Sequence, residues 1–238
     1  MASEHIVSSF DRDLEGIQAK VMRMGGLVEA ALRNSVRALE DGDLEAAARV
    51  RQGDRTIDAL NEEIRFETAQ LLALRSPTAI DLRLVLSVMA ISASLERIGD
   101  YAKNISKRTQ VIAGGAKING SIGSLRQMTH FVIKMISDSL DAYIQHDTAL
   151  AEDVFERDRE ADQMYNTLFR ALLTHMMEDH RNITTGMHLH FIAKNIERAG
   201  DHATTIAEQT IYMVTGQTPD DERPKGDTTP MATTGIEM

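Results

Sequence analysis

IDLRLVLSVMAISASLERIGDYAKNI, residues 80–105, sets the period of the whole chain. Ile80, Leu84, Val88, Ile91, Leu95, Ile98, Ala102 and Ile105 step by fours and threes, which is one apolar stripe along a helix. Residues 189–206 repeat the stripe with Leu189, Ile192, Ile196, Ala199, Ala203 and Ile206. Inside each stripe sits the same phrase, LERIGDY at 95–101 and IERAGDH at 196–202.

The duplication extends outward from that phrase. Aligned at an offset of 101, residues 95–105 and 196–206 agree at Glu, Arg, Gly, Asp, Ala and Ile. Upstream, DRTID (54–58) matches DREAD (158–162) at an offset of 104, and Met24 and Val28 match Met128 and Val132 at the same offset. Breaks at Asp41-Gly42-Asp43, Pro77, the glycine-rich stretch 113–124, His146-Asp147 and His180-Arg181-Asn182 leave six long helical segments. These are about 6–40, 44–74, 78–112, 122–145, 148–179 and 182–214. The sequence therefore predicts an all-α fold of two tandem three-helix bundles, 1–115 and 116–215. A tail at 216–238 holds three of the four prolines and reads as disordered.

Composition agrees with helix packing. Only 4% of residues are aromatic and none is Trp or Cys, so Leu, Ile, Val, Ala and the 13 Met must fill the core. Disulfides, thiolate metal sites and cysteine nucleophiles are excluded. A net charge of −10 argues against a nucleic-acid partner. The longest uncharged stretch, between Arg83 and Glu96, is too short to span a bilayer. The N-terminus has neither the basic nor the apolar region of a signal peptide, which fits a cytoplasmic protein. No HExxH, Glu-x-x-His, GxSxG or phosphate-loop motif occurs.

Four acidic pairs stand at i, i+4: Asp54/Asp58, Glu96/Asp100, Asp158/Asp162 and Glu197/Asp201. Each pair shares one helix face, off the apolar stripe. Carboxylates brought to ~4 Å across neighbouring helices repel by about 4 kcal/mol at an effective dielectric near 20. A hard cation (Mg, Ca, Mn, Fe, or Zn with imidazole) would offset this, with Glu62, Asn104 and Asn166 as further oxygen donors. Against this stands a salt-bridged surface, since Lys103 follows Asp100 by three and Lys194 precedes Glu197 by three. Leu82, Leu86 and Met89 form a second apolar row on the third helix and mark a face for a partner.

Residues 77–105 (PTAIDLRLVLSVMAISASLERIGDYAKNI), 187–209 (MHLHFIAKNIERAGDHATTIAEQ) and 22–32 (MRMGGLVEAAL) together resemble the PhoU family of accessory regulators of bacterial phosphate uptake. The likeness covers about residues 5–215. It implies a cytoplasmic, often homodimeric regulator that binds iron or zinc clusters through its [E/D]xxxD acids. Carried onto this chain, those are Glu96, Asp100, Glu197 and Asp201, with Asp54, Asp58, Asp158 and Asp162 opposite. It also implies repression of the phosphate-starvation regulon, by docking on the ATPase of the phosphate ABC transporter and on a membrane-bound sensor histidine kinase. This would place the protein peripherally at the inner membrane without an enzymatic role. The second copy has Thr205 where the first has Asn104, which weakens or alters its metal shell. A metal-dependent phosphohydrolase and a metal-free helical adaptor are the alternatives.

Overall fold

The computed structural model describes residues 2–75, 80–115, 118 and 120–218. Six helices follow in order: α1 Ala2–Asp41, α2 Leu44–Arg75, α3 Ile80–Ala113, α4 Ser121–Gln145, α5 Thr148–Glu178 and α6 Ile183–Thr215. A single 3₁₀ turn, His180–Asn182, precedes α6. Among the described residues there is no strand.

Local chemistry sets the boundaries close to where the sequence placed them. Gly42 turns the chain at φ +66°, and Asp43 opens α2 by accepting a hydrogen bond from the Ala46 amide at 2.8 Å. His146 ends α4 in the left-handed region at φ 55°, and Asp147 caps α5 by accepting from the Leu150 amide at 3.0 Å. Gly216 ends α6 at φ 77°. The expected disordered tail lies outside the described residues from 219 onward, as does the break at Pro77.

Helices α1, α2 and α3 pack on one another, as do α4, α5 and α6, and the two triads meet along α3–α6 and α1–α4. One continuous apolar core runs through both. Its centre is the twin stripe read from the sequence: Val88, Ile91, Leu95, Ile98, Ala102 and Ile105 face Leu189, Ile192, Ile196, Ala199, Ala203 and Ile206, all buried. Ile80 departs from that reading. It is 59% exposed at the first residue of α3. Met24, Met128 and Met135 fill the core fully, and Met22, Met164 and Met176 pack at its edge.

The duplication is visible in the packing. Ser35 and Ser139, 104 residues apart, are both buried and both donate to the carbonyl three residues back at 2.8 Å. Tyr101 and His202 occupy the same place in the repeated phrase, and they meet each other across α3–α6, the Tyr101 hydroxyl lying 3.3 Å from His202 Nε2. The repeats are thus related by an approximate two-fold that passes between these two rings. Buried Gly25, inside α1, sits where α4 crosses, and a methyl there would run into Leu140.

Candidate functional site

The phrase ERxGD places its two acids one helical turn apart on α3 and on α6, on the flank that meets α2 and α5 respectively. The acids of α2 and α5 approach from the other side of each seam. In the first half the carboxyl of Glu96 is pushed up from its ordinary range by burial, then by Asp100, Asp58 and Asp54, with Arg97 opposing. Asp58 is likewise raised by burial, then by Asp54, with Lys103 opposing and Asp100 adding to the rise. Glu96 therefore feels the other three acids of the first half, and Asp58 feels Asp54 and Asp100. Asp54 is the deepest, 3% exposed. Gly99 makes room for it: a methyl on Gly99 would come within 3.1 Å of Ile57 and 3.6 Å of Asp54 Oδ1.

The second half repeats the arrangement with deeper burial. Glu197 is 5% exposed and Asp162 6%. Burial is the main cause that pushes the Glu197 carboxyl up to about 7, with Asp201 and Asp162 raising it further and Lys194 opposing. Asp158 faces Gly200, where a methyl would lie 3.9 Å from Asp158 Oδ1 in ordinary contact. The sequence places these acids on a solvent-facing groove. The structure instead sinks Asp54, Asp162 and Glu197 into the interhelical seam, because α2 and α5 lie over them.

Each cluster contains an ammonium. Lys103 bonds Asp54 across the α2–α3 seam and reaches Asp100 at 3.5 Å, so it is a cross-helix bridge rather than a local partner of Asp100 alone. Lys194 donates to Glu197 at 2.7 Å and lies 5.0 Å from the centre of the Tyr165 ring. Spacing alone did not show the Lys103–Asp54 pair, since it depends on the rotation of α3 against α2.

The donor chemistry suits a hard cation. Asp54 Oδ1 and Glu197 Oε2 are buried carboxylate oxygens that accept no hydrogen bond, an arrangement costly without a positive partner. Buried Asn61 Oδ1, further along α2 from Asp54, is in the same condition. Yet among the described residues no three of His, Asp and Glu close around one point. As the side chains stand, the lysines supply the positive charge. The other suggested donors are placed as follows. Asn104 Oδ1 accepts from Lys107 at 3.3 Å, Asn166 is half-buried on α5, and Glu62 is turned to solvent against Arg65 at 3.4 Å. Thr205 spends its hydroxyl on the Asp201 carbonyl, 3.0 Å away. His202, engaged by Tyr101, points to the two-fold rather than into an acid cluster.

Leu82 and Leu86 are 37% and 43% exposed, with Met89 half-buried below them. The matching start of α6 exposes Ile183 and Met187 at 48% and 40%, a counterpart the sequence reading had not assigned to a partner. The offset of 101 relates Leu82 to Ile183 and Leu86 to Met187, so the signal was present in the repeat.

Known proteins share this fold and much of this sequence. A family model described as PhoU domain matches residues 21–109 and 125–210, two spans that contain all eight acids. The chain is 42% identical over 229 residues to the phosphate-specific transport system accessory protein PhoU homolog of Rhizobium meliloti (strain 1021), covering 96% of this chain and 97% of that one. It is 46% identical over 213 residues to the homolog of the same name from Zymomonas mobilis, covering 90% of each. The crystal structure of PhoU from Pseudomonas aeruginosa superposes with a TM-score of 0.84 at 36% identity, covering 87% of this chain and 100% of that one. That of the phosphate transport system regulatory protein PhoU from Streptococcus pneumoniae gives 0.82 at 29% identity, covering 89% and 99%.

Proposed function

This chain belongs to the PhoU family of phosphate-transport accessory proteins, and from that premise we propose that it is a cytoplasmic, non-enzymatic regulator of phosphate uptake whose acid clusters bind metal. In this reading it represses the phosphate-starvation regulon when phosphate is plentiful. It does so by docking on the ATPase of the phosphate ABC transporter and on the regulon's sensor histidine kinase. No helix among the described residues is long and apolar enough to cross a membrane, so contact with the inner membrane runs through those partners. The observation that carries the reading is the near full-length match to accessory proteins of that transport system. Deleting the gene should derepress phosphatase and transporter expression in high phosphate. Unchanged expression would overturn the proposal.

The metal part rests on the unpartnered buried oxygens of Asp54 and Glu197, set among carboxylates on adjacent helices. Asp54, Asp58, Glu96 and Asp100 would hold one ion or cluster, and Asp158, Asp162, Glu197 and Asp201 the other. Iron or zinc is the leading choice from the family, with Mg, Mn and Ca also suited to the oxygen donors. A bound cation would supply the charge that neutralises these acids, and Lys103 and Lys194 would swing aside to admit it. Elemental analysis of protein purified without chelator tests this directly. Stoichiometric metal that disappears when Glu96, Asp100, Glu197 and Asp201 are all replaced by Ala supports it.

A metal-free adaptor is the second reading, favoured by the lysines that already sit against the acids. Sub-stoichiometric content of every metal in the native protein would select it. Turnover of phosphoesters by metal-loaded protein, lost in Glu96→Ala or Glu197→Ala, would instead revive the hydrolase. For docking we assign the Leu82, Leu86 and Met89 row. Leu86→Glu should leave the fold intact and abolish binding to the kinase or to the transporter ATPase. A second copy of the chain is the other occupant of this face; loss of a homodimer in the same variant would identify it.

A further inference from the structure

Beside the first acid cluster an open cavity of about 540 Å³ lies between α2 and α3. Its lining contains no apolar residue; every side chain is charged or, at Gln52, an amide. Asp54 and Asp58 line it together with four cations, Arg51 and Arg55 from α2 and Lys103 and Lys107 from α3. Lys103 is committed to Asp54 and Asp100. Lys107 touches only the amide oxygen of Asn104. Arg51 and Arg55 are one turn apart, both exposed, and among the described residues neither makes an ion pair. Their neighbour Arg49, by contrast, is satisfied by Asp43 and Glu45. Two unpaired guanidinium groups at i, i+4 repel each other along the helix, and an anion between them removes that repulsion.

The duplicated half shows that this charge is not a by-product of the repeat. Arg51, Gln52, Lys103 and Lys107 carry three positive charges. Their counterparts at offsets of 104 and 101, Phe155, Glu156, Thr204 and Glu208, carry two negative ones. Both halves keep the acids and the arginine at 55 or 159, but the first adds three further cations around them where the second has Phe155, Glu156, Thr204 and Glu208.

We propose that this cavity is a binding site for a small tetrahedral oxyanion, free orthophosphate being the ligand that its lining fits. Guanidinium forks match phosphate oxygens in paired hydrogen bonds, and Lys107 adds a third positive group from the facing helix. With no apolar or aromatic residue in its lining, the cavity offers no ring or aliphatic wall for a nucleotide base or a peptide side chain to pack on. Half-buried Asp58 selects among oxyanions. Orthophosphate near neutral pH carries a proton that a carboxylate accepts, whereas sulfate has none and meets only repulsion. The assignment is independent of docking, and because Asp54 and Asp58 are shared with the proposed metal site it is tested on metal-free protein.

The test is isothermal titration of the full-length protein, dialysed against chelator, with orthophosphate, sulfate and ATP. Orthophosphate should bind saturably at one site per chain. Binding should weaken at least tenfold in Arg51→Ser/Arg55→Ser, whose side chains are exposed and unpaired so that the fold is retained. The second-half control Arg159→Ser should bind as the parent does. Sulfate should bind at least tenfold more weakly than orthophosphate in the parent, and Asp58→Asn should close that gap. Three results would overturn the proposal: no saturable binding up to millimolar orthophosphate, equal loss in Arg159→Ser, or ATP binding more tightly than orthophosphate.

Discussion

Replacing Glu197 by Gln should stabilise the metal-free protein, and only at neutral and higher pH. Glu197 is 5% exposed, and burial raises its carboxyl from 4.5 to about 7 despite the Lys194 ammonium 2.7 Å away. A raised carboxyl means the folded chain holds this proton more tightly than the unfolded one. Stability therefore falls as pH climbs from about 4.5 to about 7; the penalty is fully present above that window and absent below it. At 1.36 kcal/mol per pH unit the shift corresponds to about 3 kcal/mol. Glutamine keeps the shape and removes the charge, so it recovers that amount. For a chain of this size each kcal/mol moves the midpoint by about 2–4 °C. Thermal unfolding followed by far-UV circular dichroism in chelator should then show Glu197→Gln melting about 6–12 °C above the parent near pH 8. The two midpoints should converge near pH 4.5. A gap that does not change with pH, or a parent that melts higher near pH 8, would refute the claim that Glu197 is held ionised at a cost.

Four further substitutions, three in the same seams and one at a helix cap, are read by urea or thermal unfolding. Lys103→Met strands the carboxylate of Asp54, which is 3% exposed, and should cost about 3 kcal/mol; a change below about 1 kcal/mol would show the bridge to be a surface pair. Gly200→Ala should add about 0.5–1 kcal/mol, since the nearest atoms to the new methyl are at ordinary contact distance, 3.7 Å or more. Gly99→Ala should gain nothing, because Ile57 stands at 3.1 Å; identical effects at the two glycines would contradict the tighter first seam. Asp147→Ala removes the cap of α5 and should cost about 1 kcal/mol.

The fold was legible because helix periodicity, breakers and the internal repeat all pointed the same way. Ile91, Leu95 and Ile98 and their counterparts fall on the stripe that the spacing drew, and Gly42, His146 and Gly216 turn the chain where the sequence placed breaks. The acid pairs were legible as pairs, and the repeat placed them on neighbouring helices. Their depth was not legible. A hydrophobic stripe fixes which face meets the core, but the position of Asp54 at the floor of a seam depends on how closely α2 lies on α3, which Gly99 and Ile57 decide together. The same holds for Lys103, whose partner across the seam is a matter of helix rotation, and for Tyr101 and His202, whose meeting requires the two halves to be folded against each other.

The counter-charges separate what the two halves share from what they do not. Lys103 comes three residues after the second acid of its pair, whereas Lys194 comes three residues before the first. The position matching Lys103 is Thr204, and the one matching Lys194 is Ala93. Each half therefore neutralises the same four carboxylates with an ammonium from the opposite end of the phrase. If the acids were there to make a particular salt bridge, the bridge and its geometry would repeat with them. What repeats instead is the set of oxygens and the glycine facing Asp54 or Asp158, while the cation is interchangeable. That pattern supports the proposed metal reading, in which the lysine holds the place of a cation. Metal titration of Lys103→Met and Lys194→Met should accordingly tighten binding in the altered half alone, by removing the resident competitor. Weaker binding in either variant would show the lysine to be part of the site rather than its placeholder.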